Sequence, residues 1–126
     1  MINIDDLIGV KYKRNGRTKD GFDCFGLAIE VSKRFGHEMP DIEEARKEDY
    51  NFDECNKVFL KKVKLEEIPF PKEEGDIVCI HEIGKTVSHI GIYLGNNQII
   101  HCDYHGVHID RVSRLRGLIG RVYKWQ

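Results

Sequence analysis

The 126-residue sequence predicts an α+β domain in which N-terminal helices pack on a C-terminal antiparallel sheet of about five strands. Two periodicities carry this prediction. Leu27, Ala28, Val31 and Phe35, and further on Phe52, Cys55, Phe59 and Val63, recur in steps of three and four residues, the spacing of one helix face. From Ile77 onward the pattern changes to short apolar runs punctuated by Gly84, Gly95, Gly106 and Gly117, which reads as an antiparallel meander. Helical pattern first and strand pattern second marks an α+β architecture. The composition agrees: with 40% hydrophobic residues, residues 1–126 form one domain able to bury about two thirds of its unfolded surface without a disulfide or metal.

Charge narrows the function classes. The 20 basic and 21 acidic residues are well mixed and leave a formal net charge of −1, so no electrostatic grip on nucleic acid or an anionic membrane is expected. The four cysteines, Cys24, Cys55, Cys79 and Cys102, have neither zinc-finger spacing nor the density of a secreted scaffold, and read as reduced thiols. Met1 to Asp6 lacks a basic segment followed by an apolar one, and no run is long enough to span a bilayer. Synthesis in the cytoplasm without a signal peptide is the expectation.

Taken in order, Asn3 to Ile8 reads as a short helix capped by Asn3 and ended by Gly9. Val10 to Asp20 is a basic loop that holds Tyr12 and turns at Asn15-Gly16. The next helix spans about Asp23 to Phe35, with Asp23 placed to cap it and Gly36 to stop it. Asp41 to Val63 is highly charged and reads as one or two surface helices, with Cys55 in the core. Leu65 to Phe70 is ambiguous because Pro69 and Pro71 interrupt any regular element. Lys72 to Asp76 is a turn, followed by strands over Ile77 to His81, Ser88 to Leu94, Gln98 to Cys102, Val107 to Asp110 and Ile119 to Trp125.

Chemistry concentrates at Cys24. It falls in the first turn of its helix, where unsatisfied N–H groups and the positive end of the dipole favour a thiolate. Along Ser88 to Leu94 the set His89, Gly91 and Tyr93 alternates with Ile90, Ile92 and Leu94. If the first set faces the cysteine helix, Gly91 makes room for it and His89 is a candidate base. A three-residue loop at Gly95-Asn96-Asn97 pairs Gly91 with His101 and puts both histidines on one face, whereas a two-residue loop at Asn96-Asn97 separates them. His101, Cys102, His105 and His108 are dense enough to raise a metal site, but strand neighbours point to opposite faces and Gly106 marks a turn, so no metal or other cofactor is expected.

The stretch from Tyr12 to Leu27, the Glu74 to Val78 segment, and Ser88 to Gly95 followed by Ile100-His101 together resemble the NlpC-type cysteine peptidases of bacterial cell walls. In that family an Asp-Cys-small-Gly motif opens a helix, a His-apolar-Gly-apolar-Tyr strand supplies the base, and a second His twelve residues later orients it. The resemblance implies a papain-like fold and a catalytic set of Cys24, His89 and His101. It also implies that Tyr12 and Asp23 assist in positioning the substrate or the oxyanion. Tyr12 here lacks the Trp and first Gly that usually follow it, and Phe25 stands where most members have Ser. Phe25 and the close Gly120 to Trp125 are similar to the branch encoded by tailed bacteriophages and prophages.

The implied function is hydrolysis of peptidoglycan stem peptides, commonly between a D-isoglutamyl residue and the diamino acid after it. The implied setting is a virion tail acting on the cell wall, with other tail proteins as partners. Two alternatives stand beside it: a catalytically idle docking module of a tail, and an acyltransferase using the same Cys and His pair.

Overall fold

The computed structural model describes residues 2–47, 52–81 and 89–126. Two short strands, β1 (Arg17–Thr18) and β2 (Gly21–Phe22), form a hairpin that leads into helix α1 (Cys24–Arg34). A 3-10 turn over Glu43–Arg46 and helix α2 (Phe52–Lys62) follow. The remaining strands are β3 (Leu65–Ile68), β4 (Ile77–Ile80), β5 (His89–Gly95), β6 (Gln98–Asp103), β7 (Gly106–Arg111) and β8 (Ile119–Trp125), with a one-turn helix α3 (Val112–Leu115) before β8. Ser88 and Gly84, assigned to the strand region from the sequence, lie outside the described residues.

The α+β expectation holds, but among the described residues the sheet has six strands, in the order β3-β8-β4-β5-β6-β7, all pairs antiparallel. Only β4 to β7 form a meander. After β7 the chain crosses the sheet through α3 and a 3-10 turn over Arg116–Leu118, and β8 enters between β4 and β3. The crossing buries Leu115 with Val78, Ile80, Ile99 and Val122 in a second core cluster. The sixth strand is the stretch left ambiguous by its prolines. Among the described residues it pairs only with β8, and it exposes Glu66 and Glu67, as suits an edge.

Helix α1 forms because its sequence meets each requirement of a short helix. Asp23 has extended backbone and its carboxylate accepts from the Gly26 N–H at 2.7 Å, a side-chain cap worth about 1 kcal/mol. At the other end Gly36 adopts φ +90°, and the N–H groups of Gly36 and His37 reach the carbonyls of Lys33 and Ser32, which is a Schellman stop. Leu27, Ala28 and Val31 are fully buried, and Phe25 joins them edge-on to Phe59, with ring centroids 6.3 Å apart. Cys55 and Phe59 of α2 belong to the same core, while the side chain of Phe52 lies outside the described set.

The N-terminal segment differs from its expected form. Residues 5–9 make successive turns rather than a helix, with the Asn3 side chain accepting from the Asp5 N–H. Gly9, at φ +84°, ends the segment before a helical nucleus is repaid.

Candidate active site

The β2–α1 junction places Cys24. A Cβ on Gly26 would stand 2.0 Å from the Gly16 carbonyl oxygen, so glycine there lets the basic loop close onto the first turn of α1. The Asp23 carboxylate also accepts from Arg17 at 2.8 Å, and Arg17 in turn donates to Gly16 O and Asp41. Asp23 thus ties loop to helix. Cys24, partly buried, is the first residue of α1. The Cys102 thiol on β6 donates to Phe22 O at 3.1 Å, which fastens this junction to the sheet. Burial, followed by the neighbouring Cys24, pushes the Cys102 thiol up to about 12, so Cys102 is an inert strand residue.

Tyr12 bridges to Phe22 and packs edge-on to the exposed Tyr104, with ring centroids 4.8 Å apart. Burial raises its hydroxyl above the ordinary tyrosine value, with added contributions from Tyr104, Asp23 and Cys24. Tyr12 is therefore a neutral donor beside the thiol.

His89 and His101 share one face, and the route to that arrangement differs from the expected one. Gly91 does pair with His101, but the turn is the two-residue Asn96-Asn97, both at positive φ (50° and 64°), and Gly95 pairs with Gln98. The register shifts between Tyr93 and Gly95, so the strand carries a bulge at Leu94. The bulge supplies the extra residue that a three-residue loop would have supplied.

The alternation also resolves the other way. Ile90 and Ile92 pack with Leu27, Ala28 and Val31, whereas Tyr93 packs against the second cluster. The nearest atoms to a Cβ on Gly91 are those of Ile99, Ile100 and His101, so this glycine clears β6 rather than α1. His89 stands at the first residue of β5, and α1 packs across both β5 and β6.

The two imidazoles begin an ordered chain. His89 Nε2 and His101 Nδ1 are 2.7 Å apart, and His101 Nε2 is 2.7 Å from Asp110 Oδ2. All three residues are buried, with His89 8%, His101 5% and Asp110 8% exposed. Protonation follows from the far end. Burial acts to raise the Asp110 carboxyl, but the hydrogen bond from His101 and the nearby Arg114 leave it below the ordinary value. An ionised Asp110 accepts only, so His101 Nε2 carries the proton and His101 Nδ1 accepts from His89 Nε2. His89 Nδ1 is left with its lone pair, the state a general base requires. Burial lowers both histidines below the ordinary value, and mutual repulsion with His101 adds to the effect at His89.

Asp110 escaped the sequence analysis. Its signal was an acid inside a strand run, a residue type depleted there, two positions after His108. Arg114 donates to its other oxygen at 2.6 Å. The His101, Cys102, His105 and His108 set that the sequence raised and set aside is not brought together as such: His105 is exposed and Cys102 belongs to the opposite core, while Asp103 and His108 approach His101.

Comparison with known proteins places this geometry. The NlpC/P60 family model matches residues 9–116. The chain is 34% identical over 97 residues to the murein DD-endopeptidase MepS/murein LD-carboxypeptidase of Escherichia coli K12, covering 76% of this chain and 44% of that protein. It is 27% identical over 105 residues to the probable endopeptidase p60 of Listeria innocua, covering 83% of this chain and 19% of that one. It thus spans less than half the length of these relatives. Among solved structures, NlpC2 from Trichomonas vaginalis aligns with a TM-score of 0.67 at 22% identity, over 96% of this chain and 45% of that one. The NlpC/p60 domain of the peptidoglycan hydrolase SagA aligns with a TM-score of 0.60 at 20% identity, over 94% and 89%. With a cysteine opening α1, two bonded histidines on a six-stranded sheet and a family match over most of its length, the chain belongs to the NlpC/P60 family.

Proposed function

We propose that the protein is a cysteine peptidase that hydrolyses peptide bonds in peptidoglycan stem peptides. The observation that carries this reading is the ordered His89–His101–Asp110 chain, which leaves a buried imidazole with an open Nδ1 on the sheet that α1 crosses. Relatives named as murein and probable p60 endopeptidases support the substrate class.

In the proposed reaction His89 Nδ1 takes the thiol proton and Cys24 Sγ attacks the scissile carbonyl. The imidazolium is stabilised through His101 by the Asp110 charge. A backbone N–H in the first turn of α1, that of Cys24, holds the oxyanion, with the neutral Tyr12 hydroxyl assisting. His89 then gives its proton to the leaving amine, and water, deprotonated by the same imidazole, releases the acid product and the thiol. Asp23 acts through position: its carboxylate is engaged by the Gly26 N–H and Arg17, which orients the turn that presents Cys24.

The D-isoglutamyl–diamino acid bond is the proposed target, and a tail-associated enzyme acting on the cell wall is the proposed setting. The resemblance of Phe25 and the C-terminal Gly120 to Trp125 to phage and prophage members supports that setting. Phe25 does not argue for an idle site, because its ring is buried in the core against Phe59.

Mass spectrometry of purified muropeptides incubated with the protein and with Cys24→Ala tests the proposal. Cleavage by the first alone is expected, and the fragment masses name the bond. Equal cleavage by both, or by neither, overturns it.

A further inference from the structure

Behind the two histidines, at the β6–β7 edge, lies a second cluster that the proposed reaction does not use as such. His101, Asp103 and His108 each offer a ligand atom, and these atoms all lie within 4.8 Å of one another. His108 Nδ1 is 3.0 Å from the Gly106 carbonyl. A carbonyl only accepts, so Nδ1 carries a proton, and in the neutral form of the ring the Nε2 lone pair turns into the cluster. That lone pair meets Asp110 Oδ2 at 3.3 Å and Asp103 Oδ2 at 3.5 Å. Three acceptors converge on one point, an arrangement that is repulsive until a proton on Nε2 or a cation stands between them.

The spacing favours a metal ion. Four ligands held about 2.1 Å from a tetrahedral ion stand ~3.4 Å apart, and the two separations from His108 already match. The 2.7 Å contact between His101 Nε2 and Asp110 Oδ2 has to open for an ion to enter. Two imidazoles with two carboxylates suit a borderline divalent ion of the zinc class rather than calcium or magnesium. The backbone carbonyl behind His108 is the kind of outer partner that orients metal-binding imidazoles. Asp103 and His108, with side chains 36% and 34% exposed, give the ion a path from solvent.

We propose that His101, His108, Asp103 and Asp110 form a site for a divalent ion of the zinc class, and that its occupation switches the peptidase off. The switch is a tautomer reversal. A metal on His101 Nε2 takes the lone pair of that nitrogen, so the one proton of the neutral ring moves by way of solvent from Nε2 to Nδ1, where it donates to His89 Nε2. His89 must carry its own proton on Nδ1, and the lone pair that would receive the Cys24 proton is gone. Binding stands on the cluster geometry alone; the inhibition rests on the catalytic reading of Cys24, His89 and His101.

The test titrates the metal-free protein, Cys24→Ala, His108→Gln and Asp103→Asn with zinc chloride by calorimetry, each variant first shown to melt cooperatively. Cobalt(II) absorption serves as a second readout. Wild type and Cys24→Ala are expected to bind one equivalent with equal affinity, and His108→Gln and Asp103→Asn at least about tenfold more weakly. The cobalt spectrum is expected to lack a sulfur-to-metal charge-transfer band. Absence of saturable zinc binding to the wild type overturns the site, and so does binding lost in Cys24→Ala but kept in His108→Gln, which puts the ion on the catalytic thiol. Hydrolysis with and without zinc then tests the switch: wild type is expected to lose activity at zinc concentrations that spare His108→Gln, and equal sensitivity refutes the reversal while leaving the binding result intact.

Discussion

Asp110→Asn is the sharpest probe of the ordered chain because it changes charge and hydrogen bonding with almost no change of shape. Asp110 receives two donors, His101 Nε2 on Oδ2 and Arg114 on Oδ1. An asparagine has one oxygen and one NH2 to offer. Arg114 can only donate, so it takes the oxygen, and the NH2 faces His101 Nε2 and the nearby His108 Nε2. Both nitrogens then accept. The His101 proton then moves to Nδ1 and that of His89 to Nδ1, and the base is lost. Turning the amide round to restore the active tautomer gives up two hydrogen bonds, about 2 kcal/mol together. The lost carboxylate charge removes a further ~1.5 kcal/mol of imidazolium stabilisation. The sum, about 3.5 kcal/mol, corresponds to a fall of several hundredfold in kcat/KM, with the melting behaviour changed far less. Kinetics on a stem-peptide substrate measure the rate, and nitrogen-15 NMR of the histidine rings reads the tautomers. A variant that retains full activity, or one that loses it with His89 still protonated at Nε2, refutes the reasoning.

Other consequences are simpler. Gly26→Ala places a methyl group against the Gly16 carbonyl and should destabilise the fold by about 3 kcal/mol, read from urea unfolding; an unchanged midpoint would show that the loop gives way freely. Iodoacetamide near neutral pH should label Cys24 ahead of Cys55, Cys79 and Cys102, which are buried, and His89→Ala should slow that labelling; indifference to His89 would separate the thiol from its proposed base. Because the folded His89 titrates below the unfolded-chain value of 6.5, the stability it confers is intact above that value and is lost as the pH falls toward the lower folded value. Unfolding at about pH 7 and about pH 5 should therefore cost the wild type more stability than His89→Gln, and equal losses would contradict the assignment. The acid limb of kcat/KM should likewise lie below the ordinary histidine range.

What the sequence determined by itself is whatever depends on neighbours along the chain. The 3-4 spacing from Leu27, the Asp23 cap and the Gly36 stop defined α1 with Cys24 at its head, since capping and helix periodicity involve residues only a few positions apart. Strand runs were legible for the same reason, whereas the shared face of His89 and His101 hung on a loop length that local sequence left open. The tertiary structure decided everything set by partners distant in sequence. It replaced the three-residue loop by a two-residue turn plus a bulge at Leu94, and it turned Ile90 and Ile92, not Gly91 and Tyr93, toward α1. It recruited Leu65–Ile68 as an edge strand by giving it β8 to pair with, and drew β8 between β3 and β4 because the segment after β7 carries Leu115 across the sheet. Asp110 belongs to this second group. Its meaning lies in a contact with His101 made across a strand pair, and no local pattern distinguishes a carboxylate that orders two histidines from one that faces water.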